Sequence, residues 1–448
     1  MSRSARHALL TVLSACAASL LAPAAASARE GQPPKTEEDL MAETIKKAAR
    51  GHSSRDRIEA LRKLSGAKDP QVIRQWNIVD VLVEASDDGN PRVARTAVSG
   101  LGSLALGADP AIKQQARAPL IKLLQNGEKH VLARKEAARQ LGRMTDADRY
   151  EDSEAINALL KVAAPGPKIP VEVVREALIA LGAVGSPKAK QAIRSALTHR
   201  DLPVQEAGLK ALRMALGGKH AAEFPDPALG GTLVRMLNQQ DTTQDMREDV
   251  MVALGLLINI GVQVREFEKQ LIGILETEER ESTVLEAVRV VGLTGSSDAA
   301  AALVKVYARF RKTATGGEGG NIPVRSQVCI TAGDMFEMWS AKSTAAGGVG
   351  AAKPLVDLLV GVLVEDPSDD VRKEAAHALG YLYDDRYDKV NAVQALIAVL
   401  SAARTTDALV EVAADSLEVL TNSSSPGKDA ARWAEWFDRH KRELGPRR

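Results

Sequence analysis

Aromatic residues are scarce: the 448-residue chain carries 5 Phe, 5 Tyr and 4 Trp, about 3%. Its core must therefore come from Leu, Val, Ile and Ala packed at close range, which favours helices over sheets. Cysteine is nearly absent, and Cys16 and Cys329 cannot form a disulfide framework. An excess of either charge is missing too, with Lys+Arg 59 against Asp+Glu 58 and no run of five like charges. That balance argues against nucleic acid as the partner, because a phosphate binder ordinarily shows a basic excess or stripe. Beyond the first thirty residues no stretch of 18 apolar residues occurs. What is present, 45% apolar against 26% charged, describes a folded chain.

Residues 1–28 place Arg3 and Arg6 before an apolar stretch from Ala8 to Leu21 and a small-residue end at Ala26-Ser27-Ala28. This is the anatomy of a signal peptide cut after Ala28. Leu13-Ser14-Ala15-Cys16 also resembles a lipobox, which keeps open a membrane association through lipid on Cys16. Either route predicts an extracytoplasmic location, periplasmic or secreted.

An internal repeat organises the rest. In a ten-residue frame the first position is apolar, the second or third often Arg or Lys, the fifth small or apolar, the ninth Leu-like and the tenth often Gly. VARTAVSGLG at 93–102, ARKEAARQLG at 133–142, VRSQVCITAG at 324–333 and VRKEAAHALG at 371–380 are clear copies. The frames end at 65, 102, 142, 182, 213, 255, 292, 333, 380 and 418, with separations of 31 to 47 residues. Two helices of three to four turns with short turns need about 40 residues, so each period predicts one helical hairpin. Within a frame, Val371, Ala375, Ala378 and Leu379 line one side of a helix while Arg372, Lys373 and Glu374 take the other.

On these residues the chain resembles HEAT-repeat, armadillo-like proteins, the stretch from Asp366-Pro367 through Val371-Arg372 to Gly380 matching most closely. The resemblance spans about 54–422. It implies an all-α fold, a right-handed α-solenoid of about ten HEAT-like hairpins, and a role in binding partners. The segment 420–440, with Trp433 and Trp436, is similar to the tail closing secreted HEAT arrays of planctomycete type. The expected organisation is a signal peptide at 1–28, a polar lead-in or capping helix at 29–53, the array at 54–422 and a Trp-containing capping segment at 423–448.

Motifs for chemistry are missing. None of the seven histidines pairs with another at helical spacing, H-E-x-x-H and G-x-S-x-G are absent, and Gly316 to Gly320 lacks the lysine ending of a phosphate loop. No catalytic, cofactor-binding or metal-binding residue is assigned, and no cofactor is expected. The glycine-rich stretches 313–323 and 340–350 read as flexible connections bordering one unit. Expected partner contacts are Arg95, Arg134, Arg175, Arg247, Arg325 and Arg372, with Phe336, Trp339, Trp433 and Trp436. For each a structural role is the competing reading: arginines bridging neighbouring turns, aromatics in helix cores or closing the last repeat. The expected function is a non-enzymatic scaffold for a protein or peptide. The alternatives are an enzyme or accessory resembling HEAT-like chromophore lyases, and a purely structural component.

Overall fold

In this computed structural model the structure describes residues 35–446 apart from 108, 148–152, 165, 167–168, 225, 240, 263–266, 314–320, 342–347, 403–404 and 425. The expected signal peptide, Cys16 and most of the two glycine-rich stretches lie outside the described residues. Every regular element described is helical.

The helices pair into ten hairpins. The second helix of each pair carries the ten-residue frame, and these frame helices run Ser54–Ser65, Pro91–Ala105, Val131–Ala147, Val171–Val184, Leu202–Leu216, Gln244–Asn259, Glu281–Thr294, Ile322–Ala341, Asp369–Gly380 and Asp407–Thr421. Each is preceded by a leading helix, from Glu37–Ala48 in the first hairpin to Val390–Ser401 in the tenth. Helices start where the sequence supplies caps. Asp69-Pro70, Asn90-Pro91, Asp109-Pro110 and Asp226-Pro227 each place a side-chain acceptor on the amide two residues on, with proline at the first helical position.

Successive frame helices pack directly on one another, and so, more loosely, do most successive leading helices. A continuous apolar core of Leu, Val, Ile and Ala runs between the two files. This is an all-α repeat solenoid of stacked hairpins, each hairpin burying its face against its neighbours.

The tenth-position glycines set the spacing of the frame file. A Cβ on Gly182 would stand 2.5 Å from the Cα and 2.8 Å from the carbonyl carbon of Ala211 in the next frame helix. In frame coordinates this is position ten against position eight, and the same pairing recurs as Gly102 on Gln140, Gly142 on Ala180, Gly292 on Thr331, Gly333 on Ala378 and Gly380 on Ser416. Where position ten is Ser65, position eight of the next frame is Gly100, so the small residue has moved across the contact. One partner of each such crossing must lack bulk for the helices to approach this closely. The register also aligns equivalent solvent positions of neighbouring frames, so the frame face is a ladder with one rung per hairpin.

At the end of the array, Ala430–His440 packs on Val390–Ser401. Trp433 and Phe437 are buried there, and the Trp433 indole donates to the Gly427 carbonyl at 2.6 Å. Trp436 remains half-exposed, stacked on His440.

Candidate functional site

The frame arginines divide by position. Those at the second position turn inward. Arg134 Nε donates to Leu124 O at 3.1 Å, Arg247 Nη1 to Leu237 O at 2.6 Å and Arg372 Nε to Leu363 O at 2.8 Å, in each case near the C-terminus of the leading helix of the same hairpin. Those carbonyls have no intrahelical donor and sit at the negative end of the helix dipole, so a guanidinium is well placed there. In the fifth frame Gln205 does the same work, donating to His199 O at 2.5 Å. In the seventh, Val284 occupies the position and Arg309 of the following leading helix reaches back to Leu275 O, Glu276 O and Glu278 O.

Three second-position arginines also reach an acid in the next hairpin's turn: Arg57 to Asp88, Arg247 to Glu278 at 2.9 Å and Arg325 to Asp366. These are links between repeats. Arg134 and Arg325 are buried, and the expected contact of their side chains with a partner is corrected accordingly: both are used up inside the array. Phe336 and Trp339 are corrected in the same way. Both are buried, with the Trp339 indole donating to Gly295 O at 2.8 Å, as is Trp433. Of the six expected arginines, Arg95 and Arg175, both at the third position, are the ones that stand in solvent, because one residue turns a helical side chain by about 100°.

Glu278 shows what such a link does with pH. Burial raises its carboxyl pKa, but the backbone amide of Arg280 and the Arg247 guanidinium lower it more, leaving it below the usual value. A depressed folded pKa gives stability that is complete above the unfolded value of about 4.3 and is lost as pH falls through the folded one. Glu278→Gln should therefore melt below the parent at neutral pH, with the gap closing as pH falls through the folded carboxyl's lowered pKa. Melting curves across that range check it.

The open feature of the frame face lies between the ninth and tenth frame helices. A groove of about 700 Å³ is lined by Asp370, Lys373, Glu374, His377, Gly380, Tyr381 and Tyr383 on one side and Val412, Asp415, Ser416 and Val419 on the other. Its floor is the Gly380–Ser416 crossing. His377 meets Tyr381 edge to face, with ring centroids 5.3 Å apart. Tyr383 is 45% and Val419 56% exposed, in a chain with few aromatics to leave in water. Lys373 is paired with Asp370 at 2.6 Å, while Glu374 and Asp415 leave the rim acidic.

The turn carrying Tyr383 is fixed in place. Arg386 donates to Trp339 O at 3.2 Å and Ser340 O at 3.1 Å and grips Asp384, whose carboxyl it holds below the usual range. Tyr387 donates to Phe336 O at 3.2 Å, and Lys389 Nζ to Tyr383 O at 2.7 Å. Tyr381, Tyr383, Val412, Asp415 and Val419 were not among the expected contacts. A signal existed: three of the five tyrosines, Tyr381, Tyr383 and Tyr387, fall within seven residues just after the clearest frame.

Among the described residues no three His, Cys, Asp or Glu side chains are disposed to hold a metal ion. Cys329 is buried in the core near the Arg325–Asp366 pair, and burial together with the Asp366 carboxylate pushes its thiol pKa upward. Among the described residues no helix is long and apolar enough to cross a membrane.

A family model described as PBS lyase HEAT-like repeat matches residues 173–199, the fourth frame and the start of the next hairpin. No curated protein matches the chain. Among solved structures the chain is similar to importin beta in an ammonium sulfate condition, at 12% identity over 87% of this chain and 52% of that one, TM-score 0.57. It is likewise similar to Kap121p bound to Pho4p, at 13% identity over 93% and 44%, TM-score 0.53, and to Kap95p with RanGDP, at 14% over 89% and 53%, TM-score 0.52. The chain spans about half the length of these arrays. At such identities the likeness is one of fold, a HEAT/ARM-type solenoid. The expected extracytoplasmic, periplasmic or secreted location is corrected by the same matches: they are importin beta and karyopherins, Kap95p being described in nuclear import complex assembly. The leader-like segment behind that expectation, with the lipid attachment at Cys16, lies outside the described residues.

Proposed function

We propose that the protein is a non-enzymatic scaffold that holds a protein or peptide partner on its frame face, with the groove between the ninth and tenth frame helices as the anchor. The observation carrying this reading is an open groove with exposed Tyr383, on a braced turn, on one side and exposed Val419, on the tenth frame helix, on the other. An aromatic anchor on a fixed turn beside an open groove suits docking, since little side-chain entropy is lost on binding. The solved Kap121p array, described as bound to Pho4p, is a fold-level analogy for a solenoid that carries a protein. Arg95, Arg175 and half-buried Trp436 are the expected contacts still available to a partner; Arg372 offers only its outer edge. Within this reading the expected lead-in helix Glu37–Ala48 is the first hairpin's leading helix, the array runs on to residue 422, and 423–448 close its end.

The match to a lyase-type repeat covers two helices, one from each of two neighbouring hairpins, and supports the repeat rather than lyase chemistry. Affinity capture with the full chain is the test. A single partner retained by the parent should be lost at least about tenfold on Tyr383→Ala and on Val419→Glu, with helicity unchanged by circular dichroism. Equal capture by both variants would remove the groove from the account.

A further inference from the structure

We propose that the frame face of hairpins two to four docks an acidic segment of a partner protein, a second surface at the opposite end of the array from the groove. It rests on the same reading of the frame face as a docking face, but not on what occupies the groove.

The second frame helix carries Arg92 and Arg95 and no acidic residue. The third adds Lys135, Arg139 and Arg143, and the fourth adds Arg175 beside one exposed acid, Glu172. The ten-on-eight register brings these rungs side by side, and two ion pairs confirm the alignment: Arg95 lies 3.9 Å from Glu136, and Arg139 reaches Glu176 at 2.8 Å on the next rung. Glu136 and Glu176 are themselves largely covered, with side chains 7% and 14% exposed. They hold Arg139 in place from beneath while the cations face water. Among the described residues no carboxylate lies within ion-pair distance of Arg92, Lys135, Arg143 or Arg175. Among those residues the face therefore carries positive charge in excess of its neutralising partners, within a chain whose formal charge is only +1.

That charge is balanced farther along. The sixth frame helix carries Asp245 and Asp249, paired with Arg280 and Arg213, and Glu248, and the tenth presents Asp407, Glu411, Asp415 and Glu418, spaced to share one side, with no Lys or Arg of its own. A long polyanion following the ladder would run onto these carboxylates. Nor do the second, third and fourth frame helices contain a Phe, Tyr or Trp on which unpaired bases could stack. A short acidic peptide suits the surface better. Three rungs at roughly 10 Å each span about 20 Å between the outer helix axes, which an extended stretch of about six residues covers.

Fluorescence anisotropy of the full chain with a labelled Glu-rich octapeptide at low ionic strength tests this. We expect saturable binding that weakens at least about tenfold in an Arg92→Glu/Arg143→Glu variant and falls steeply as salt rises. Both residues are exposed, so the fold should survive, and an unchanged melting curve verifies it. Tyr383→Ala should leave peptide binding intact, so this proposal and the groove reading fail separately. Equal binding by the double variant would overturn the proposal, as would tighter binding of an oligothymidylate of the same charge. A concentration-dependent rise in mass that the double variant abolishes would also overturn it, by assigning the face to a second copy's acidic helix.

Discussion

Replacing Arg325 with methionine should cost about 3–5 kcal/mol, because it strands a buried carboxylate. Arg325 is 1% exposed and pairs with Asp366, whose side chain is fully covered. Asp366 also accepts the Tyr307 hydroxyl at 2.5 Å and the Ser368 amide at 2.9 Å. Burial and that carboxylate together raise the Tyr307 phenol pKa, so it stays a neutral donor. The cluster ties the leading and frame helices of the eighth hairpin, Ser297–Thr313 and Ile322–Ala341, to the turn of the ninth.

Two neutral hydrogen bonds cannot replace a guanidinium in a site that water does not reach. Each hairpin leans only on its neighbours, so the damage should be regional: amide exchange should speed up across hairpins eight and nine while the first hairpins stay protected. The double variant Arg325→Met/Asp366→Leu should recover most of the loss, since the stranded charge is then gone. A single-variant cost under about 1 kcal/mol by urea denaturation would show that the pair is not the regional lock described here.

The second large effect is expected at Gly182. Valine there would drive its Cβ and both methyls into the Cα and carbonyl of Ala211, atoms that cannot step aside without moving the fifth frame helix. Overpacking against backbone should cost about 3 kcal/mol or more. Gly273 is the control. It lies in the leading helix Glu268–Thr277 with nothing within 4 Å of the point where a methyl group would stand, and Gly273→Ala should stabilise by about 0.5–1 kcal/mol through helix propensity alone. Opposite signs for two glycine substitutions in helices of one array would show that close approach, rather than helix propensity, sets the requirement at the frame's tenth position. Urea denaturation of the two variants and the parent decides it.

Much of the architecture was readable from residue order. The frame recurs every 31 to 47 residues, and the structure has one hairpin for each copy, including the degraded fifth, where Gly208 and Arg213 blur the pattern. There the close contact lies elsewhere: Gly208 fits against Ala196 of its own leading helix, while the tenth position is Arg213, which pairs with Asp249 of the next frame helix. The arginines were harder. Arg95 and Arg134 look equivalent in the sequence, yet one is solvated and the other spans to Leu124 O, because a shift of one position rotates the side chain from the face to the flank of the helix. Phe336 and Trp339 gave no such clue: the helix that carries them is apolar around much of its circumference.

Residue order by itself determined the helices, their pairing into hairpins and the all-α solenoid, because amphipathic period, caps and turns act within a few residues of one another. Tertiary structure alone decided which charges stay free and where a groove opens. Arg325 and Asp366 are 41 residues apart, and Tyr383 owes its position to Arg386 gripping carbonyls 46 and 47 residues earlier. Such contacts depend on how one hairpin is registered on the next, and that register comes from the crossing of a tenth-position residue on an eighth-position one, a fit between surfaces that no single period of the sequence contains.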